Sequence, residues 1–75
     1  MPKLPRVTPR KVVRALLRAG FYLHHQSGSH INLRHETNTY LHVVIAYHNK
    51  DLAPKTVRSI IAQAGLTVEE FKALL

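Results

Sequence analysis

Residues 21–46 read FYLHHQSGSHINLRHETNTYLHVVIA, and this segment predicts the central sheet of the fold. Apolar and polar residues alternate in three runs, at residues 21–26, 30–34 and 40–45, and the segments between the runs have the composition of turns. Because successive side chains of a strand point to opposite faces, each run can bury one side. We therefore predict a three-stranded antiparallel meander, with a three-residue hairpin loop at Ser27-Gly28-Ser29.

The two faces of this sheet differ in chemistry. We expect one face to lie against helices, and it collects Leu23, Ile31, Leu33, Leu41, Val43 and Ile45. Pairing of Leu23 with Leu33, and of Leu33 with Leu41, would align the other face in three rows. The predicted rows are Gln26 with His30 and Val44, His24 with Asn32 and His42, and Tyr22 with Arg34 and Tyr40. A slip of one residue would bury this polar set, so the alternation specifies which face stays open.

The first helix is predicted over residues 9–19. Thr8 supplies a capping hydroxyl, Pro9 suits the first helical position, and Gly20 can adopt the left-handed conformation that ends a helix. One side of this segment is apolar at helical spacing. The other side carries a basic arc without an acid, formed by Arg10, Lys11, Arg14 and Arg18. A solvated helix face usually mixes both signs of charge, so the basic arc favours contact with phosphate groups.

Two further helices are predicted after the meander. Pro54 opens one helix, and Gly65 ends it. Thr67 and Glu70 have the spacing of a capping box, after which a short last helix follows. The order is α-β-β-β-α with an extra C-terminal helix. With the helices on one face of the sheet, this order predicts an α+β fold.

The length and composition set limits on the protein. A chain of 75 residues has room for one domain, residues 1–75, with a thin core and a surface site. It has no cysteine, which excludes disulfides and thiolate metal sites. It also lacks an apolar run of about 18 residues and the apolar region of a secretory signal. We expect a cytoplasmic protein without a membrane association or a small-molecule cofactor.

Positive charge is concentrated in the first half of the chain. The formal net charge is +7. Residues 1–35, beginning with Lys3, hold seven lysine and arginine residues and no acid, whereas residues 36–75 hold four bases and four acids. A field of one sign attracts polyanions. Nucleic acid is therefore the favoured partner class, an acidic protein is the next, and a merely solvated basic surface is the remaining alternative.

The histidines do not have the arrangement of a metal site. Zinc requires three or four ligands that converge on one point. In the predicted rows, His24 and His42 lie two strands apart, at about 9–10 Å between backbones, and the residue between them, Asn32, is a poor zinc ligand. We therefore predict no metal. For His24, His25 and His35, the favoured interpretation is that they are polar residues of an exposed sheet face and have no specific function.

His30 differs from the other histidines because it follows Gly28 and Ser29 at the mouth of a hairpin. Gly28 lets another backbone approach closely, and Ser29 can donate a hydrogen bond. Free imidazole titrates near pH ~6.5, so an unperturbed histidine is mostly a free base at neutral pH. Such a base can take the proton of an RNA 2′-OH group, which then attacks the adjacent phosphorus. A nearby cation, Arg34 or Lys50, could neutralise the charge that builds on the phosphoryl oxygens.

These residues resemble a known family. Gly28-Ser29-His30 lies on the second strand, the helix TPRKVVRALLRAGF precedes it, and YHNKDLAPKTVRSIIAQAGLTVEEF follows. In this combination, which covers essentially the whole chain, the sequence resembles the HicA toxins, also called YcfA-like proteins. The chain departs from the family pattern in two places, where Ala46-Tyr47-His48 replaces Pro-x-His and Lys55-Thr56 replaces Gly-Thr.

The resemblance implies a fold, an activity and a partner. The fold would be similar to a double-stranded-RNA-binding domain, and the protein would be a metal-independent mRNA endoribonuclease, the toxin of a type II toxin–antitoxin system. The catalytic histidine of the family matches His30. The partner would be a HicB-type antitoxin that covers the active face, and the pair would act in stress response.

Candidate RNA contacts fall in three groups. Beside His30 they are Gly28, Ser29, Asn32 and Arg34; on the first helix they are the four residues of the basic arc; and on the second helix they are Lys55 and Arg58. Free backbone N–H groups at the start of the second helix add to the attraction for phosphate there. The second catalytic group remains open between His24, His42, His48 and water.

Two other functions compete with the nuclease. A non-catalytic RNA-binding module of the same fold would use the basic arc together with Lys55 and Arg58, and it would recognise RNA through phosphates and 2′-OH groups. A small protein-interaction domain for an acidic partner is the third hypothesis. The nuclease and the binding module share the basic charge and differ only in the role of His30.

Overall fold

The computed structural model describes residues 4–75, so Lys3 lies outside the described part. The elements are α1 (Pro9–Arg18), β1 (Phe21–Ser27), β2 (His30–His35), β3 (His42–Ala46), α2 (Pro54–Gln63) and α3 (Val68–Leu74). The strands form an antiparallel sheet in the order β1-β2-β3. The predicted α+β arrangement is therefore confirmed.

Local sequence signals determine where the helices begin. The Thr8 hydroxyl caps α1 by accepting the Lys11 N–H at 3.4 Å, and Pro9 occupies the first turn. At α3, the Thr67 hydroxyl accepts the Glu70 N–H at 3.1 Å, and the Glu70 carboxylate accepts the Thr67 N–H at 2.8 Å. The predicted capping box is thus present. α2 has no side-chain cap and depends on Pro54 for its start.

The register of the sheet is partly as predicted. Leu23 pairs with Leu33, but Leu33 pairs with Val43 and not with Leu41. β3 starts later than predicted because Leu41 still belongs to the preceding turn, where its N–H donates to the Asn38 carbonyl at 3.1 Å. The shift is two residues, so the alternation of faces is preserved.

A β-bulge in β1 changes the rows of the open face. The ladder between β1 and β2 is irregular between Leu23 and His25, which leaves His24 as the extra residue. His25 therefore lies opposite Asn32, where we expected His24. Because the bulge takes up one residue, Ser27 pairs with His30, and the hairpin loop has two residues where three were predicted.

The shorter turn depends on Gly28. This glycine has a φ of +56° at the first central position of the turn, where type II′ turns place glycine. A Cβ atom at this position would meet no heavy atom within 4 Å, so the requirement for glycine is conformational and not steric.

The core lies between the sheet and the helices. α1 packs on β1, α2 packs on β3, and α3 contacts both helices. The buried residues of this core are Val7, Val12, Ala15, Leu16, Phe21, Ile31, Leu33, Val43, Ile45, Leu52, Val57, Ile60, Ile61, Ala64 and Phe71. The expectation that Leu23 joins them is wrong, because its side chain on β1 is 53% exposed.

Several segments meet at one end of the sheet, which we call the hairpin end. It comprises the turn at Gly28-Ser29, the end of β3 at Ala46 and the loop that follows, and residues 7–10 at the start of α1. The Tyr47 N–H donates to the Ser29 carbonyl at 2.6 Å, and the Leu52 N–H donates to the Val7 carbonyl at 2.8 Å. These two bonds tie the loop after β3 to the hairpin on one side and to the chain before α1 on the other.

Candidate functional site

His30 stands at the hairpin end with an accessible ring. It is the first residue of β2, it is exposed, and its cross-strand neighbours are Ser27 and Ala46. Within residues 4–75, no hydrogen bond holds its imidazole, whereas the rings of His35, His42 and His48 are each bonded. The backbone beneath His30 is rigid because both neighbouring strands pair with it. Both ring nitrogens of His30 are therefore free to exchange a proton with a ligand.

An open pocket lies at the hairpin end, the end of the sheet that also carries His30. Its volume is about 510 Å³, and it is lined by Thr8, Arg10, Tyr47, His48 and Asn49. Tyr47 follows Ala46, the cross-strand neighbour of His30, so the pocket begins one residue from that neighbour. The described lining holds a guanidinium, an imidazole, a phenol, an amide and a hydroxyl, and it holds no carboxylate. This combination offers hydrogen-bond donors and positive charge to an anion.

The ring of His48 is oriented by the backbone of its own loop. Its Nδ1 accepts the Lys50 N–H at 3.1 Å. A neutral imidazole has one acceptor and one donor nitrogen, so this bond assigns the hydrogen to Nε2. His48 therefore presents Nε2–H as a donor.

The middle of the open face is a polar patch. His42 Nε2 lies 3.0 Å from Asn32 Oδ1, which links β2 and β3 through their side chains. Arg34 lies opposite His42 and Tyr22. It is four residues from His30, which corresponds to a rise of about 13 Å along the strand. Asn32 and Arg34 thus share the face of His30, while Arg34 lies at the opposite end of β2.

Arg34 also has an unsatisfied donor. Its Nε is buried and has no hydrogen-bond partner within the described residues. An unpaired buried donor is costly, and a bound acceptor would remove that cost. Tyr22 lies beside it, is 41% exposed and has its ring 6.4 Å from that of His24. This end of the face offers an aromatic surface and a guanidinium to a ligand.

His35 has a structural role. Its Nδ1 accepts the N–H groups of Thr37 and Asn38, at 3.2 and 3.1 Å, so Nε2 carries the hydrogen and donates to the Ala19 carbonyl at 2.8 Å. The ring also meets Phe21 edge to face at a centroid distance of 4.9 Å. His35 thus joins the end of α1 to the turn after β2.

The basic arc of α1 divides into two parts. Arg10 lines the pocket at the hairpin end. Lys11, Arg14 and Arg18 line a second groove together with Arg6. Arg18 is partly occupied there, because its Nη1 donates to the Leu74 carbonyl at 2.6 Å. The arc therefore presents two separate cationic surfaces. Lys55 and Arg58 form a third, exposed on the first turns of α2.

Two further observations concern residues 4–75 as a whole. No group of three histidine, aspartate or glutamate side chains in this range is arranged to hold a metal ion. None of the helices in this range is long and apolar enough to cross a membrane.

A family model described as the HicA toxin of bacterial toxin–antitoxin systems matches residues 9–66. The chain belongs to the HicA toxin family. The match covers α1, the whole sheet and α2, and thus includes His30 and most of the pocket beside it. Membership assigns this HicA chain the role of a toxin, with a HicB antitoxin as its partner in the system. No curated protein matches the chain.

The sequence did not reveal every residue of this site. Thr8, Tyr47 and Asn49 line the pocket but were not among the candidate RNA contacts. Their location depends on hydrogen bonds between distant segments, and a pattern within one element does not report such bonds. One signal was available, because Tyr47 and His48 directly follow the strand that pairs with His30.

Proposed function

We propose that this HicA toxin is a metal-independent endoribonuclease that cleaves mRNA and uses His30 as its general base and acid. The observation that carries the proposal is the free imidazole of His30, on a paired strand and beside the cationic pocket at the hairpin end. General acid–base catalysis requires a side chain that can exchange a proton directly with the substrate. The rings of His35, His42 and His48 are hydrogen-bonded within the protein, so they are less free to exchange a proton with the substrate.

The proposed reaction is a transphosphorylation. Neutral His30 takes the proton of the 2′-OH group, and the 2′ oxygen attacks the adjacent phosphorus. The bond from phosphorus to the 5′ oxygen breaks, and that oxygen takes a proton from the His30 imidazolium or from water. The products carry a 2′,3′-cyclic phosphate and a 5′-hydroxyl group. A cation close to the phosphoryl oxygens would stabilise the charge that develops there.

The open face would bind the RNA strand. We assign backbone and base contacts to Gly28, Ser29, Asn32 and Arg34, and phosphate contacts to Lys55 and Arg58 and to the four residues of the basic arc. Exposed aromatic rings such as Tyr22 offer stacking surfaces for unpaired bases. A HicB antitoxin that covers this face would block the site. With messenger RNA as the substrate, the reaction would take place in the cytoplasm. Residues 1–75 would act as one domain.

Cleavage of a long single-stranded RNA in excess EDTA tests the proposal. The wild type, His30→Ala and the matched control His25→Ala would be compared across about pH 5–9, with the ends of the products mapped. General acid–base groups typically contribute ~10²–10⁴-fold, so we expect His30→Ala to lose at least the lower factor. His25 is exposed on the same sheet and has no assigned role, so its variant should cut normally.

Two controls complete this experiment. Circular dichroism and RNA affinity should be the same for all three proteins. If the RNA binds but stays intact, or if His30→Ala cuts as fast as the wild type, the non-catalytic RNA-binding module becomes the better account. If EDTA alone abolishes cleavage, the metal-independent mechanism is wrong.

A further inference from the structure

We propose that the pocket lined by Thr8, Arg10, Tyr47, His48 and Asn49 binds a backbone phosphate of single-stranded RNA, next to the phosphate that is cleaved at His30. This inference rests on the proposed function, because it assigns a neighbouring subsite to the same substrate. The pocket would hold the strand while His30 acts on it.

The chemistry of the lining selects an anion. Arg10 contributes a guanidinium, which matches the oxygens of a phosphate in pairs. His48 contributes Nε2–H, because its Nδ1 is already occupied by the Lys50 N–H. The Thr8 hydroxyl accepts the Lys11 N–H, so its own hydrogen remains available to donate. The described lining has no carboxylate to neutralise Arg10 or to repel a phosphate.

The position of the pocket points to a polymer of phosphates. The Tyr47 N–H donates to the Ser29 carbonyl at 2.6 Å, and His30 pairs with Ala46. These contacts hold the wall of the pocket and His30 in one rigid unit. A strand that places one phosphate at His30 and continues across the hairpin end would lead its next phosphates past Tyr47 and His48. A single protein carboxylate could fill the pocket, but it would not also place an anionic group at His30. The regularly spaced phosphates of a nucleic acid strand could occupy both positions.

The exposed ring of Tyr47 adds a second contact for a nucleotide. Tyr47 is 39% exposed, and its exposed ring offers a surface on which one base can stack. Stacking on aromatic side chains tolerates any base. The pocket would thus grip the backbone and one base without reading the RNA sequence.

Binding of an uncleavable RNA tests this subsite independently of catalysis. The probe is a fluorescently labelled single-stranded RNA that is 2′-O-methylated throughout, so it lacks the attacking hydroxyl. Fluorescence anisotropy would compare the wild type with Arg10→Gln and His48→Gln. The matched controls are Lys72→Gln, which removes an exposed charge on α3, and His25→Gln, which removes an exposed imidazole on β1.

We expect Arg10→Gln and His48→Gln each to raise the Kd about tenfold or more, as for the loss of a charge-assisted hydrogen bond. The controls should stay within about twofold of the wild type. Arg10→Gln should also lower the slope of log K against log salt by ~0.7, the value for one phosphate contact in a single strand, and Lys72→Gln should leave the slope unchanged. Equal effects of Arg10→Gln and Lys72→Gln would overturn the proposal.

A measurement on the wild-type protein tests the same subsite without substitutions, so it remains valid if the variants fold poorly. The imidazole nitrogens of His48 can be followed by ¹⁵N NMR while the same RNA is added. A shift of the His48 Nε2 signal on binding supports the subsite, and an unchanged signal at saturation refutes it. Because the probe is not cleaved, a protein without nuclease activity can still pass this test. A nuclease that depends on His30 can equally fail it.

Discussion

The packing of His35 against Gly20 allows a quantitative test of how much this histidine contributes to the stability of the fold. Gly20 has a φ of +96°, and a Cβ atom there would lie 2.9 Å from His35 Nε2. Alanine at this position must therefore adopt a left-handed conformation and also displace the ring. The displaced ring loses its bond to the Ala19 carbonyl and its edge contact with Phe21.

The expected loss of stability is the sum of these parts. The left-handed conformation costs an alanine about 1–2 kcal/mol, offset by about 0.4–1 kcal/mol from the stiffer unfolded chain. Loss of the hydrogen bond adds about 0.5–1.5 kcal/mol, and loss of the aromatic contact adds a similar amount. We expect Gly20→Ala to destabilise the protein by about 2–3 kcal/mol, which lowers the Tm of a domain of this size by roughly 10–20 °C.

Gly28→Ala is the matched control, because Gly28 also has a positive φ, but a Cβ atom added there would meet no heavy atom within 4 Å. Only the conformational cost applies, so this variant should lose about 1 kcal/mol or less. Urea unfolding followed by circular dichroism measures both variants. Equal losses for Gly20→Ala and Gly28→Ala would refute the assignment of His35 as the cause.

Three further predictions concern single contacts of the fold. Thr67→Ala should cost ~1 kcal/mol in urea unfolding, since it removes the hydroxyl of the capping box, and an unchanged midpoint would contradict this. Phe71→Ala should cost about 3–5 kcal/mol and show as a collapse of the thermal transition, since this ring is fully buried where α3 docks. In a double-mutant cycle, Asn32→Ala and His42→Ala should show a coupling of about 0.5–1.5 kcal/mol, and additive losses would mean that the 3.0 Å contact is not formed in solution.

Hydrogen bonding divides the six histidines of this chain into two groups, although four of them fall within twelve residues. His35 is held by three backbone groups, His42 by an amide side chain and His48 by a backbone N–H. His30 has none of these restraints. The rings of His24 and His25 also have no hydrogen bond within residues 4–75. Hydrogen bonding therefore separates the proposed catalyst from His35, His42 and His48, and its place at the hairpin end separates it from His24 and His25.

The position of His30 would allow the proposed cleavage and its inhibition by the antitoxin to use one surface. The open face of the sheet carries His30 and the candidate RNA contacts Asn32 and Arg34, and the helices of residues 4–75 pack on the other face. A partner that buries this face excludes RNA without contact to the core. In the proposed mechanism, RNA and the antitoxin would therefore compete for this face of the toxin, while the helices maintain the fold on the other face.

Much of the fold could be predicted because its signals are local. Thr8, Pro9 and Pro54 start helices through their own side chains and backbone geometry. The capping box at α3 joins only Thr67 and Glu70, which are close in the sequence. The alternation in β2 decides which side chains are buried, since each strand must turn its apolar side to the helices. His30 on the open face follows from the same alternation.

The details of pairing could not be predicted in this way. The bulge at His24 and the late start of β3 shift the rows of the open face by one and two residues. The two-residue shift of β3 buries the same kind of side chain, so the hydrophobic pattern does not reveal it. The bulge lies in β1, where every residue after Phe21 is exposed, so burial does not constrain the register there. Turn geometry decides the register, through Gly28 in one hairpin and the bond from Leu41 to Asn38 in the other.

Local patterns were enough to predict the order of elements, the polarity of the two sheet faces, the basic arc and the exposure of His30. Each of these depends on neighbouring residues or on a periodic pattern. The placement of Arg10 and His48 in one pocket, with Arg34 away from it, depends on the folded chain. Such proximity arises when loops close over many residues, because hydrogen bonds between distant backbone groups, such as Tyr47 to Ser29, then bring together side chains that no local pattern connects.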